Sequence, residues 1–424
     1  MDERAADGPS SSAAAKIGHP LNATQRDSAG PSADLLEAVR VAADELVPRV
    51  LDLTERIAAV SAPTGEEGER SRLVAQLFAD RGLPVEVDHL GDVVATLRSS
   101  DGAASGAPPV LLAAHLDTVF AAGTPLTIHR EKERLSGPGI GDNSLGVAAI
   151  LSLPELLQAV AAPRRVDVLL VANVGEEGLG NLRGMRAVMD ARPNVAAAIA
   201  VEGHNLGRVT HIAVGSRRLR LTARGPGGHS WGDFGRPSAI HALARLIADL
   251  DALPLSRHPK TTLNVGMIDG GVSVNSVAPA ASCLVDLRSV DETSLARLAD
   301  RVDRAVSVAN RGSITVSSEV LGERPAGVVP LDSPIIRLAD ATLAALGIET
   351  TYDASSTDAN IPISRDTPAL CVGLTTGRNV HREDEFIDVA PLGTGLAQLA
   401  LLTLALADGR SALMPPAALG QSSR

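Results

Sequence analysis

Aromatic side chains are almost absent: the 424 residues hold four Phe, one Trp and one Tyr. The core must therefore be packed from Ala, Val, Leu and Ile. Cysteine is nearly as scarce, and Cys283 and Cys371 sit far apart in apolar runs. A disulfide framework is not expected, and each reads as a small buried hydrophobe. No run reaches the roughly 18 apolar residues that would span a bilayer. Positive charge is also short. A net charge of −11 and a pI near 5.4 argue against nucleic acid or an anionic membrane as partner. They agree with a soluble enzyme that holds metal cations. The amino terminus lacks a basic segment followed by an apolar core, so no secretory signal is expected and the cytoplasm is the expected compartment.

The length allows two domains, because one core rarely serves more than about 250–300 residues. Residues 1–33, rich in Ser, Ala, Gly and Pro, read as a disordered tail, and 411–424 as a flexible one. Apolar spacing predicts helices over 35–60 and 66–81, and a hairpin over 85–97.

Chemistry gathers where apolar runs stop. Val166-Asp-Val-Leu-Leu-Val-Ala-Asn-Val-Gly-Glu-Glu-Gly178 has the composition of a strand buried on both faces, followed at once by Glu176 and Glu177. Ligands in open α/β sheets collect outside such strand ends. One carboxylate can hold a metal while its neighbour handles a proton, although an isolated pair would read as a solvated loop. A second run from Val110 ends in His115-Leu-Asp117, whose side chains share a face. Asp117 is placed to hold the second ring nitrogen of a metal-bound His115, or the two form a buried structural pair. A third strand, 196–201, runs into Glu202, and a fourth, 369–374, leads to His381.

The glycine-rich segment 136–146 lacks both common phosphate-loop spacings. Its Asp142 is either a helix cap or a carboxylate bridging two cations. His115, Asp142, Glu177, Glu202 and His381, with no Cys among them, suit two Zn²⁺ or similar cations.

The order His115-x-Asp117, Gly-Asp142-Asn, Glu176-Glu177-Gly, Glu202-Gly, His381 resembles the M20 metallopeptidases, over roughly residues 35–410 and most closely the glutamate carboxypeptidase and aminoacylase subgroup. The resemblance implies one metal on His115, Asp142 and Glu202 and another on Asp142, Glu177 and His381. Glu176 would be the general acid/base and Asp117 the residue that orients His115. Asp142-Asn-Ser-Leu-Gly stands where many relatives have Asp-x-Lys-Gly-Gly.

Residues 207–323 read as a separate unit with a strand over 208–223, helices over 238–250 and 293–310, and strands over 262–268, 274–287 and 313–320. That β-α-β-β-α-β order is ferredoxin-like. The fold class expected is α/β: a catalytic domain (34–206 and 324–410) with a mostly parallel sheet flanked by helices, interrupted by this lid. In the family such a unit also makes a homodimer. There a lid histidine, matched by His229, polarises the scissile carbonyl, often from the partner subunit. Asn275 and Arg288 match positions that grip a substrate carboxylate.

The function expected is hydrolysis of an amide, in a peptide or N-acyl amino acid bearing a free carboxylate, by a metal-bridged hydroxide with Glu176 as base. Zinc is the default metal, and cobalt or manganese would accept the same ligands. One rival is a serine hydrolase: Gly228-His-Ser-Trp-Gly232 fits G-x-S-x-G, with Asp358 and His381 following Ser230 in triad order. The flanking sequence lacks the buried strand and immediate helix that an elbow needs. A second rival, a binding protein on a degenerate hydrolase fold, predicts missing ligands.

Overall fold

The computed structural model describes residues 31–100 and 107–408. The expected tails lie outside the described residues, except that the first helix already begins at Ala33. That helix, α1 (Ala33–Ala58), covers the predicted 35–60 in one piece. The Ser32 hydroxyl accepts a hydrogen bond from Leu35 N to cap it, and it buries Val39, Ala43, Leu46, Val50 and Ile57 at helical spacing. Helix α2 (Gly68–Ala79) follows.

Two sheets carry the molecule. In the large one the order is β1 (Val85–Val87), β2 (Val93–Leu97), β6 (Val168–Asn173), β3 (Val110–His115), β7 (Ala197–Glu202), β17 (Ala369–Gly373), β8 (Arg208–Ala213) and β15 (Gly327–Val328), with β16 (Thr351–Ser355) also on β8. The central strands β6-β3-β7-β17 are mutually parallel. Every residue of β3, β6 and β17 is buried, as the continuous apolar runs require of strands covered on both faces. Helices α1, α3 (Gly146–Ala159) and α9 (Leu392–Ala407) pack on one another, and α3 and α9 also pack on β3. Around them lie α4 (Arg183–Ala191), α7 (Pro334–Ala345) and the single turn α8 (Asn360–Ile363). Both cysteines are buried and free.

The smaller sheet is antiparallel throughout, in the order β11 (Thr261–Gly270), β13 (Ala280–Ser289), β9 (Gly215–Arg224), β14 (Thr315–Arg324). Helices α5 (Ala239–Asp251) and α6 (Glu292–Ala309) cover one face. Leu243, Leu246, Leu298 and Val302 close a second core over Leu219, Leu221, Val285 and Leu287. The predicted β-α-β-β-α-β order is present.

Two boundaries differ from expectation. The single strand read over 208–223 is two strands: β8 belongs to the large sheet and β9 to the small one, so the crossing lies at Val214 rather than at 207. Alternation looks the same in either sheet, which is why the break is invisible in sequence. The strand read over 274–287 starts only at Ala280. Before Pro279, which has no N–H for a ladder, β12 (Ser276–Val277) turns aside to pair with β10 (Gly228–His229). A rim sheet of β18 (Gly377–Arg378), β19 (Phe386–Asp388), β5 (Arg134–Ser136) and β4 (His129–Arg130) completes the strands described.

The chain crosses between sheets twice, at Val214 and at Pro325. The fully buried Asn360 donates from Nδ2 to both carbonyls, at 3.0 and 2.9 Å. Among the described residues no helix is long and apolar enough to cross a membrane.

Candidate metal centre

The strand ends deliver the predicted side chains to one place. His115 closes β3, Glu202 closes β7, and Glu176 and Glu177 follow β6 after a turn at Gly175, whose φ of 68° suits glycine. Asp142 lies in the kinked turn Ile140–Leu145 ahead of α3, so it does not cap that helix. His381 sits in the loop between β18 and β19 at φ 68°, a left-handed conformation rare for a side-chain-bearing residue and concentrated at functional sites.

Asp142 is the hub. Its Oδ1 is 3.0 Å from His115 Nε2 and its Oδ2 is 3.0 Å from His381 Nε2. Glu202 approaches His115 Nε2 at 3.7 Å, and Glu177 approaches His381 Nε2 at 3.1 Å. Ligand atoms of His115, Asp142 and Glu177 all lie within 4.8 Å of one another. Three carboxylates and two imidazoles at these spacings form an all-oxygen-and-nitrogen donor set.

The protonation equilibria register the same crowding. Burial opposes charge on His115, but Asp117, Asp142 and Glu202 outweigh it and raise its pKa well above the usual range. Asp142 and Glu177 lift His381 to about 10. Burial pushes Glu202 up to about 7 against the pull of His115. Negative charge packed this closely out of water calls for cations, so the residues present fit a metal.

Asp117 stands beside His115 and also has a second job. The Nδ1 of His115 is 3.0 Å from the backbone carbonyl of Asp117 and 3.6 Å from its carboxylate. The carboxylate accepts the backbone N–H groups of Glu176 and Glu177, both at 2.9 Å, and the Thr64 hydroxyl at 2.8 Å. Burial works against ionising Asp117, yet His115 and those N–H groups bring it down to about 2. It fixes the turn that presents both glutamates.

Glu176 is buried and belongs to neither imidazole cluster. Arg324, itself 5% exposed, holds its Oε1 at 3.0 Å and also donates to the Glu176 carbonyl. Burial raises the pKa of Glu176 well above the ordinary value, against the lowering pull of Arg324. The small sheet supplies this arginine and two more. Arg324 and Arg288 both pair with Ser216 across β14-β9-β13, and Arg218 lies two residues along on the same face. All three line a cavity of about 490 Å³ together with His115, Asp142, Glu176, Glu177, Glu202 and His381. Arg288 is tethered to Asp286 at 2.7 Å.

Two predicted residues are not brought there. His229 and Asn275 lie together on the exposed β10-β12 ribbon, where the Asn275 carbonyl accepts from Ser230 N, and neither lines the cavity. Ser230 shares that ribbon. Asp358 is buried at Asn173, 2.8 Å away, and the His381 Nε2 already faces Asp142 and Glu177. The triad order is therefore not assembled in space.

Sequence reasoning missed Arg324, Arg218 and Glu385. Arg324 ends an alternating strand and carries no local mark. Glu385 sits in the charged run Arg382-Glu-Asp-Glu, which reads as solvent-facing, yet it is fully buried. His204 stands two residues after Glu202 with no local mark of its partner.

A parallel-centred α/β sheet that focuses imidazoles and carboxylates beside a buried glutamate is the framework of a metal-dependent hydrolase. Residues 111–405 match the model of peptidase family M20/M25/M40, and the chain belongs to that family. It is 26% identical over 368 residues to the acetylornithine deacetylase of Yersinia pestis, covering 81% of this chain and 92% of that one. A "Probable carboxypeptidase" of Aspergillus flavus is 32% identical over 253 residues, covering 54% and 57%. In fold the chain is similar to the aminopeptidase PepT of Bacillus cereus (TM-score 0.71, 20% identity, 85% and 99% covered) and to human carnosine dipeptidase 1 (0.64, 13%, 88% and 99%).

Proposed function

We propose that the chain hydrolyses an amide bond in a peptide or N-acyl amino acid bearing a free carboxylate, with two divalent cations sharing Asp142. One observation carries this reading: each oxygen of Asp142 is 3.0 Å from a different imidazole, while Glu176 stays outside both clusters. One cation would take His115, Asp142 and Glu202, the other Asp142, Glu177 and His381. Zinc suits such ligands, and manganese or cobalt would accept them. Bound there, the cations would supply Lewis acidity, polarising the scissile carbonyl and acidifying a water.

The chain's own groups do the rest. Glu176 takes up a proton at its carboxylate and passes it to the leaving nitrogen, a task suited to a buried acid whose pKa is raised. Arg324 limits that rise and fixes the direction of the carboxylate. Arg288, with Arg218 beside it, faces the cavity with the planar fork that suits a substrate carboxylate. The relatives' names, a deacetylase and a carboxypeptidase, agree with an N-acyl amino acid or a peptide's carboxyl end.

The unit built on the small sheet acts as lid and dimerisation domain in this reading. His229 and Asn275 then serve the site of a second copy, since they miss their own. Trp231, Phe234 and Val274, at 88, 91 and 104% exposure around that ribbon, and Met267 and Ile268 on the β11 edge supply apolar surface for a homodimer.

The test is elemental analysis of protein dialysed with zinc or with a chelator, alongside a panel of N-acyl amino acids and dipeptides and their amidated counterparts. About two zinc ions per chain, with cleavage confined to metal-loaded protein and free carboxylates, is the expected result. Cleavage that survives complete metal removal would sink the reading and turn attention to Ser230.

A further inference from the structure

Behind the bridging aspartate lies a pair that belongs to no ligand set. Glu385 is fully buried, and both its oxygens are occupied. Its Oε1 accepts from Gly141 N at 3.0 Å, Asp142 N at 2.9 Å and His204 Nε2 at 2.7 Å, and its Oε2 accepts from Gly139 N at 3.1 Å. The backbone carbonyl of Glu385 takes the N–H of Gly137 as well. The turn that carries Asp142 is thus hung on one carboxylate.

The partners connect further. His204 is two residues past Glu202, and Glu385 is four residues past His381. The contact between them crosses 181 residues of chain and ties together three segments, each bearing one candidate ligand. The His204 ring fills the space that a Cβ on Gly141 would occupy, and a Cβ on Gly377 would meet both the Phe386 carbonyl and this ring. A buried carboxylate answered by four donors is satisfied without a metal, which separates Glu385 from the ligands themselves.

We infer that Glu385 and His204 are positioning residues for the metal centre: the pair sets the direction of Asp142 and holds the Glu202 and His381 segments in register with it. The inference rests on the metal-centre reading above and adds to it residues that touch neither substrate nor metal. Groups that orient ligands from behind typically change metal affinity by about 10–100-fold when removed.

The experiment is a competition titration of chelator-stripped full-length protein with Zn²⁺, together with the visible spectrum of the Co²⁺-loaded form. It compares wild type with Glu385→Gln, His204→Ala and His204→Gln. Gln at 204 keeps an amide N–H near the place of Nε2, whereas Ala removes it. Glu385→Gln and His204→Ala are expected to weaken metal binding about 10–100-fold and to shift the Co²⁺ bands, and His204→Gln to restore most of both. If Glu385→Gln fails to fold, the two His204 variants decide alone. Wild-type affinity and an unshifted spectrum in His204→Ala, or equal losses for Ala and Gln, would overturn the inference. A wild-type protein that takes up no metal would instead overturn the metal-centre reading itself.

Discussion

Around the carboxyl ends of β3, β6 and β7 the polar side chains are locked to named partners: buried Asp117 to two backbone N–H groups, half-buried Asp142 in the neighbouring turn to two imidazoles, and buried Glu176 to Arg324. The open face of the small sheet is looser. Its arginines grade from Arg324, 5% exposed, through Arg218 at 22%, to Arg288 at 40% in side-chain terms. The large sheet holds groups whose geometry must not vary, because reacting atoms tolerate little misplacement. The small sheet offers cations that can adjust to a ligand. Under the proposed function, chemistry and recognition would fall to different sheets and meet at Arg324, which stands on the small sheet and grips Glu176.

The sharpest break of this contrast is Asp142→Ala. Both metal equivalents are expected to disappear together by elemental analysis, and turnover with them; loss of only one would show that Asp142 does not bridge. Next comes Glu176→Gln, for which turnover should fall about 10²–10⁴-fold while metal content stays at the wild-type level. In the wild type the same residue predicts an acid limb. Its folded pKa is raised, so activity falls as pH drops through a value above the ordinary 4.5 for glutamate, where the carboxylate fills with a proton and ceases to accept one. Arg288→Ala should mark the recognition side by raising KM about 10–100-fold, the equivalent of one charge-assisted contact, with kcat little altered in steady-state assays. A fall in kcat at constant KM would erase the division between the sheets.

The remaining prediction concerns stability rather than turnover. Asp92 is fully buried, with one oxygen accepting from Val174 N at 2.8 Å and the other unpartnered. Burial pushes its pKa from 3.8 up to about 8. The folded chain keeps a proton that the unfolded chain releases, so its contribution to stability declines as pH rises from about 4 to about 8 and is level above that. Asp92→Asn should flatten this slope in denaturant titrations at pH 5 and pH 8. An unchanged slope would remove Asp92 as its source.

The legible parts of the molecule were those written locally. Apolar runs leading to His115, Glu176-Glu177 and Glu202 can be read because burial on both faces leaves almost no polar residue along the strands, Asn173 at the end of β6 being the exception. The helices and the ferredoxin-like order follow from periodicity in the same way. What escaped depends on partners far along the chain. Arg324 meets Glu176 across 148 residues and Glu385 meets Asp142 N across 243, and nothing beside either one marks it. The division of 208–223 between two sheets escaped because both sheets ask for the same alternation. The second nitrogen of His115 found a backbone carbonyl, a partner that every residue possesses and no motif can display.

Asn360 gives the small sheet its mechanical frame. The chain passes to that sheet at Val214 and returns at Pro325, and one amide nitrogen ties both crossings. The two connections run in opposite directions, since β9 and β14 are antiparallel, and the Asn360 amide holds them side by side. Arg218, Arg288 and Arg324 are all borne on strands that start or end near those connections. One buried amide thus fixes where three cations stand relative to the carboxylates of the large sheet.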